Sequence, residues 1–389
     1  MPYCLMKESV STVVFIQMSG AKTDSGSGGG LVFQEILAKS LIEIGIKVYA
    51  ITNPIDLYGF QFLGKNRLVA RFSKSSSGAI GLFIFERKKL KIELRAFASN
   101  FPKDTLFVTI DPFPPDIFAA KVLRKCGLKV IVTMHHITPS PLFHPIRRGP
   151  LRSFIAWLIS LNALLFIKMA NIPFFLDNKR IALELGWKFG KNLMEMPSAL
   201  PEYVRRKAKG TKKYACFVGR LTKNKGIADL IRVWSVVNKQ IPEAVLYIIG
   251  TDFGSGKYQK MIDKYAKQGS IVITGFLDRE TKEEIIKECL VFIFPSYEEG
   301  WALAVMEAID MGLLPVTYDL PAYDYICENS IKVGISDIQS LASKTVYYLN
   351  HEAERLDLVG RLQKCVSSYT MDRVTDVWIK QLKDYFSET

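Results

Sequence analysis

Glu299 and Glu307 are the side chains of this chain whose type and spacing best suit chemistry. They stand eight residues apart in Pro295-Ser296-Tyr297-Glu298-Glu299-Gly300-Trp301-Ala302-Leu303-Ala304-Val305-Met306-Glu307. Leu290 to Phe294 reads as a buried strand, Ser296 to Gly300 as a loop, and Ala302 to Met311 as a helix that Gly312 can stop. Glu299 then leaves the loop at the helix N-terminus, and Glu307 leaves the helix about two turns on, at ~3.6 residues per turn. Free amides and the helix dipole favour a negative group at that N-terminus, so a diphosphate fits there. The two carboxylates would accept hydrogen bonds from hydroxyls on either side of it. Glu298, one residue out of register, reads as a solvated charge.

A second loop complements the first. Tyr214 to Val218 reads as a strand, followed by Gly219-Arg220-Leu221-Thr222-Lys223-Asn224-Lys225-Gly226 and a helix from Ala228 to about Asn238. Gly219 allows close backbone approach, and Arg220 and Lys225 are spaced to reach a common anion from the loop and the helix entry. Either motif alone is a weak signal. In this order, each at the C-terminal end of a strand in one domain, they form a grip for a nucleoside diphosphate.

On these residues the chain resembles the retaining glycosyltransferases of family 4. The resemblance rests on the Gly219-Arg220-Leu221…Lys225-Gly226 loop, on the acid, seven residues, acid motif of Glu299 and Glu307, on Pro295-Ser296, and on Met306-Glu307-Ala308. It implies an α/β protein of GT-B architecture, with two Rossmann-like doubly wound parallel-sheet domains facing across a cleft. Residues 1–198 would form the acceptor-binding domain, completed by a C-terminal helix over 369–389, and residues 199–368 the nucleotide-sugar-binding domain. The implied roles are Arg220 and Lys225 on the leaving diphosphate, Glu307 on the ribose hydroxyls, and Glu299 on the sugar. Gly219, Gly300, Trp301, Ala302 and Leu303 complete the implied donor site. Gly28 and Gly29, in the Asp24 to Gly30 loop, occupy the place of a family glycine pair that faces donor phosphate and acceptor. Thr133-Met134-His135 matches a Thr-x-His at a strand end, where the histidine reaches the transferred sugar or the reaction centre. His136 beside it is a weaker candidate. Two departures bear on the donor: Ala302 stands where a glycine is usual, and Gly250-Thr251-Asp252 replaces a tighter glycine turn.

The implied activity is transfer of a sugar, with retention, from a nucleoside diphosphate sugar, UDP- or GDP-linked, to a lipid-linked or glycan acceptor. A nucleotide-sugar epimerase on the same fold, or an inactive donor-binding scaffold subunit, are the alternatives; the second is disfavoured because all four motif charges remain. No organic cofactor and no metal are expected. The chain has no Asp-x-Asp, and Arg220, Lys225 and helix amides can supply a positive field.

The remaining elements position these groups. A chain of 389 residues, 49% hydrophobic, has material for two cores. Six scattered cysteines without paired metal-ligand spacing read as reduced, buried thiols. The apolar run Val10 to Met18 superficially resembles a signal peptide. It contains Ser11, Thr12 and Gln17 and leads through a Gly-rich loop into a helix from Leu31 to Ile44, so it reads as a first parallel strand. The loop lacks the dinucleotide fingerprint, because its third glycine would fall on Leu31. Ala50 to Asn53, Leu106 to Ile110 and Val130 to Met134 read as further strands, with a helix from Ile117 to Cys126. Met196 to Pro201 reads as a hinge. Beyond it strands and helices alternate to Leu314–Thr317, and a final helix spans Tyr369 to Phe386.

Charge is uneven: residues 1–200 carry 26 Lys and Arg against 13 Asp and Glu, residues 201–389 carry 26 against 25. The segment Lys65 to Arg95 mixes basic residues with Phe72, Phe83 and Phe85. A solvated face is the ordinary reading; an anionic membrane or a phosphate-linked lipid acceptor is preferred over nucleic acid, for which no motif is present. Leu151 to Ala170 is an apolar helix with an uncharged stretch too short for the ~20 residues that span a bilayer. It reads as a buried domain helix or as an interfacial one. The expected setting is cytoplasmic, peripheral on the inner face of the membrane.

Overall fold

The computed structural model describes residues 10–18, 29–52, 59–69, 78–110, 113–135, 137, 150–178, 182–183, 186–200, 210–251, 256–323 and 331–387. The chain divides into two compact units, one of Met1–Phe143, Phe154–Pro201 and Thr370–Thr389, the other of His144–Ser153 and Glu202–Tyr369.

The first unit is built on seven strands: β1 (Thr12–Gln17), β2 (Lys47–Thr52), β3 (Arg67–Val69), β4 (Leu106–Thr109), β5 (Lys129–Met134), β6 (Phe174–Leu176) and β7 (Leu193–Glu195). All pair in parallel, in the order β3-β2-β1-β4-β5-β6-β7. A parallel sheet is covered on both faces, and every residue of β1 is accordingly buried. The two-residue period of strands sorts them. Val13, Phe15, Val48, Ala50, Val108 and Ile131 face one core, and Val14, Ile16, Ile51, Phe107, Val130 and Val132 the other.

The first core is closed by helix α1 (Gly29–Glu43), through Phe33, Leu37 and Leu41, and by the chain's last helix, Met371–Ser387. The last helix stacks Trp378 on Phe175 with centroids 5.9 Å apart. It also holds the sheet edge: Glu195 N donates to Gln381 Oε1 at 3.0 Å, and Gln381 Nε2 donates back to Glu195 O at 2.5 Å. The second core is closed by α2 (Gly78–Ser99), α3 (Pro114–Lys125) and α4 (Pro150–Met169). Helix α2 and strand β3 occupy the segment read from sequence only as a basic stretch. Leu90, Leu94 and Ala98 are buried one turn apart, and the exposed cations between them hide that period.

The second unit has six parallel strands, β8 (Tyr214–Val218), β9 (Val245–Ile249), β10 (Ile271–Gly275), β11 (Val291–Phe294), β12 (Leu314–Tyr318) and β13 (Ile331–Val333), in the order β10-β9-β8-β11-β12-β13. Its helices are α5 (Ile227–Gln240), α6 (Lys257–Tyr265), α7 (Arg279–Lys287), α8 (Leu303–Asp310), α9 (Ile338–Asn350) and α10 (Glu352–Val366), and Met371–Ser387 becomes α11. Trp234 of α5 is fully buried and donates its indole N–H to Ser270 O at 2.9 Å. In each sheet the strand order reverses beside the first strand, between β1 and β4 and between β8 and β11. Ligands of open parallel sheets sit beyond the strand C-termini at that reversal.

Two expectations need correction. Cys126, read as a buried thiol, is exposed at the end of α3, whereas Cys216 and Cys289 are buried; Cys4 and Cys327 lie outside the described residues. Glu298, read as a solvated charge, is buried, because the loop winds about Ser296 and turns it inward.

Candidate functional site

The loops after β8 and β11 flank the reversal of the second sheet and are packed as one body. Gly226 has φ 68 and ψ 25, and a Cβ there would lie 1.9 Å from Pro295 O, so only glycine lets the first loop rest on the second. Tyr297 N donates to Asn224 O at 2.8 Å, and Ser296 Oγ donates to the same carbonyl at 3.2 Å. The end of β9 braces the first loop through Gly219 N to Ile249 O and Leu221 N to Thr251 O, both 3.0 Å. Gly250 has φ 151, and a Cβ on it would meet Gly219 O at 1.9 Å, which explains a glycine at that turn.

The charges sit on this body in distinct surroundings. Lys225 Nζ lies 2.5 Å from Glu299 Oε1, largely out of water, and 5.4 Å over the Phe294 ring. Arg220 is exposed; its carbonyl accepts from Thr222 N at 2.9 Å, while its guanidinium makes no hydrogen bond or ion pair among the described residues. Glu307 is half-buried on α8 and lines a small depression with Val218, Lys282, Glu283, Phe292 and Ala304. The structure therefore joins Lys225 to Glu299 across the two loops.

Helix α8 starts at Leu303 rather than Ala302. Ala302 is its N-cap, in the left-handed region at φ 56 and ψ 50, with no side-chain cap on the first-turn amides. Those amides are what an anion at a helix start would use. Gly300 is half-buried in the approach to α8. Trp301 turns its side chain into the core, where Nε1 donates to Met306 Sδ at 2.8 Å and the ring meets Tyr369 edge-on. The site can thus draw on Trp301 through its backbone.

Sequence reading missed a phenol and carboxylate network behind the loops. Asp229 of α5 is buried; Tyr318 OH donates to its Oδ2 at 2.8 Å, and Tyr297 OH donates to the same oxygen. Burial, then the Asp229 hydrogen bond and charge, push the Tyr318 hydroxyl far above its ordinary value, so it stays a donor. Tyr323 is also buried, and burial and the charge of Glu299 raise its hydroxyl's pKa. That hydroxyl has no hydrogen-bond partner among the described residues. An acid on an amphipathic helix gives no local signal of such a role; only packing brings two tyrosines to it.

In the first unit, His135 follows β5, and its Nδ1 is 3.0 Å from Asp177 Oδ1, just past β6. An ionised carboxylate only accepts, so Nδ1 carries a proton and the ring is oriented. Phe33 of α1 meets the imidazole edge-on at 6.3 Å. Asp177 was not read from sequence; its signal is an acid directly after the apolar Phe174-Phe175-Leu176. Gly29 is the first residue of α1, while Gly28 and His136 lie outside the described residues. Gln17, Thr52 and Thr133 at the strand ends, and Gln34 on α1, are fully buried. Each has a side-chain polar atom with no partner among the described residues. Also among those residues, no group of three or more His, Cys, Asp or Glu could hold a metal ion.

Comparison with known proteins gives this geometry a context. Residues 202–360 match the glycosyl transferases group 1 family. The poly(glycerol-phosphate) alpha-glucosyltransferase of Bacillus subtilis is 26% identical over 171 residues, covering 42% of this chain and 25% of that protein. The GDP-mannose:cellobiosyl-diphosphopolyprenol alpha-mannosyltransferase of Xanthomonas oryzae is 23% identical over 138 residues, 32% of this chain and 36% of that protein. The matches thus span well under half the length of these two relatives. A mutant of S. aureus TarM, solved in complex with fondaparinux, alpha-GlcNAc-glycerol and UDP, superposes with a TM-score of 0.74 at 12% identity over 96% of this chain and 99% of that one. The chain has the GT-B fold, residues 202–360 match glycosyl transferases group 1, and together these support a GT-B glycosyltransferase.

Proposed function

We propose that the protein is a retaining glycosyltransferase of family 4 that moves a sugar from a UDP- or GDP-sugar to a lipid-linked or glycan acceptor. The observation that carries this reading is the single body made by the two loops at the reversal of the second sheet, with Lys225 and Glu299 joined across it. In this reading, the donor's diphosphate lies at the uncapped start of α8. Lys225 exchanges Glu299 for a phosphate oxygen, Arg220 moves in from solvent, and the freed Glu299 accepts a hydrogen bond from the sugar. Glu307, in its depression, takes the ribose hydroxyls. Stabilising the departing diphosphate is the main electrostatic term, and the acceptor attacks on the face it leaves.

In this reading the first unit binds the acceptor, and His135, held by Asp177, takes part in the transfer. Both named relatives act, by their names, on phosphate-containing acceptors, which suits the excess of cations in residues 1–200. The reaction is proposed to need no divalent metal, since Arg220, Lys225 and the α8 amides supply the positive field. The proposed setting is the cytoplasmic face of a membrane.

The test is incubation with UDP- and GDP-sugars, with and without membrane extract, following release of nucleoside diphosphate. Release only with extract supports transfer. Isomerised donor without extract would instead make the protein an epimerase, and no product under either condition would make it a scaffold. Excess chelator should leave the rate unchanged; loss of activity restored by magnesium or manganese overturns the metal-free reading.

A further inference from the structure

Helix α4 is apolar on two opposite sides. Ala163, Leu164 and Ile167 face inward and are buried in the second core of the first unit. Leu151, Phe154, Ile155, Leu158, Leu165 and Met169 fall together on the other side, at ~3.6 residues per turn, in a stripe that the exposed Asn162 interrupts between Leu158 and Leu165. Leu151 and Met169 are 70% and 85% exposed, and the other four between 42% and 48%. Single exposed apolar residues are ordinary; six aligned on one helix mark an interaction surface. Among the described residues no helix is long and apolar enough to cross a membrane, so this stripe is suited to lying on a surface.

The neighbouring helices supply cations. Lys121 of α3 sits 4.3 Å over the Phe166 ring of α4, and Arg87 of α2 lies 4.8 Å over the Phe118 ring of α3, so the three helices form one layer. Lys88, Lys89, Lys91 and Arg95 of α2 are exposed. Burial, and to a lesser degree the nearby charges of Arg87 and Lys125, lower the Lys121 pKa. A second copy of this chain would bring like charges together. An anionic, apolar partner relieves both the charge and the stripe.

We infer that the layer of α2, α3 and α4 is the surface on which the protein lies against an anionic lipid bilayer, with the α4 stripe sunk to the acyl boundary and the α2 cations on the headgroups. This does not rest on the transferase reading, and vesicle binding can fail or hold independently of activity.

The test uses the full chain and vesicles of phosphatidylcholine alone or mixed equally with phosphatidylglycerol, sedimented over a range of salt. Binding to the mixed vesicles is expected. Changing Lys88, Lys89, Lys91 and Arg95 to Ser should weaken it about five-fold per charge at low salt, from ~1 kcal/mol for each cation near such a surface. Changing Phe154, Ile155, Leu158 and Leu165 to Ser should weaken it more than ten-fold at low and high salt alike, with circular dichroism checking the fold. As a milder probe, Leu158→Cys in a background with Cys4, Cys126, Cys327 and Cys365 changed to Ser, carrying a polarity-sensitive dye, should shift to the blue on mixed vesicles. No binding by the unaltered chain, equal binding to neutral vesicles, or undiminished binding by a folded stripe variant overturns the inference. So does unchanged dye emission, or a lipid-free dimer that the stripe variant abolishes, which would assign the stripe to a second copy.

Discussion

The two sheets have the same reversal beside their first strands, yet their C-terminal ends carry opposite chemistry. In the second unit the loops there hold cations and carboxylates, with Lys225 and Glu299 paired and Arg220 in solvent. In the first unit the buried groups at the strand ends include neutral ones, Gln17, Thr52 and Thr133 with Gln34 beside them, and the acids there already hold protein partners: Asp177 faces His135, Asp116 accepts from Met18 N at 2.9 Å, and Glu35 accepts from Phe60 N at 2.7 Å. A scaffold of this kind fixes where a ligand sits and leaves open what it is. Fixed charge suits a diphosphate, whereas buried neutral donors and acceptors suit hydroxyls, because an unmatched polar group out of water costs about 1–3 kcal/mol until something pairs with it.

The largest effect expected separates the units by a methyl group. Gly226→Ala must force a Cβ into Pro295 O and hold a left-handed φ, so it should cost roughly 3 kcal/mol or more and abolish donor binding. Gly127→Ala, at φ 78 with nothing within 4 Å of the added carbon, should cost only the ~1 kcal/mol of the backbone conformation. Thermal unfolding of both measures the difference, and equal losses would mean that the loop packing adds no constraint.

Next come the charges. Lys225→Ala and Arg220→Ala should each lower turnover by about 10²–10³, as expected for groups that stabilise departing charge; Arg220→Ala should leave the melting temperature unchanged, whereas Lys225→Ala strips Glu299 of its partner and should lower it. An Arg220 variant with unaltered kinetics would remove it from the donor grip. Glu307→Ala should act mainly on the Michaelis constant for the donor.

His135→Gln and Asp177→Asn sharpen the comparison from the other side. Each should lower turnover, by about ten-fold or more, while leaving donor affinity by calorimetry unchanged. Weakened donor binding in both would instead assign that pair to the donor. The smallest effect is local: Ala302→Gly should stabilise the second unit by up to ~1 kcal/mol, because Ala302 holds a left-handed φ of 56. A lower melting temperature would show that its buried methyl group outweighs the strain.

Much of the second unit was legible in the sequence because its strands are short apolar runs closed by glycines, and its charges lie within those punctuated loops. Tyr214–Val218 as a strand, and a helix beginning just past the Gly226 loop, need only local patterns. The first unit was less so. Helix α2 hides three buried positions among cations, and β3, β6 and β7 are three residues each, too short for a period to register. Local sequence also determined which loops carry glycine and charge. Only the tertiary structure decided that Gly226 must be glycine because of a carbonyl 69 residues away in sequence, that Asp177 meets His135, and that Asp229 gathers two tyrosines. It likewise decided which side of α4 is buried, since a helix apolar all round gives no periodic signal, and only the packing of its neighbours leaves one stripe facing water.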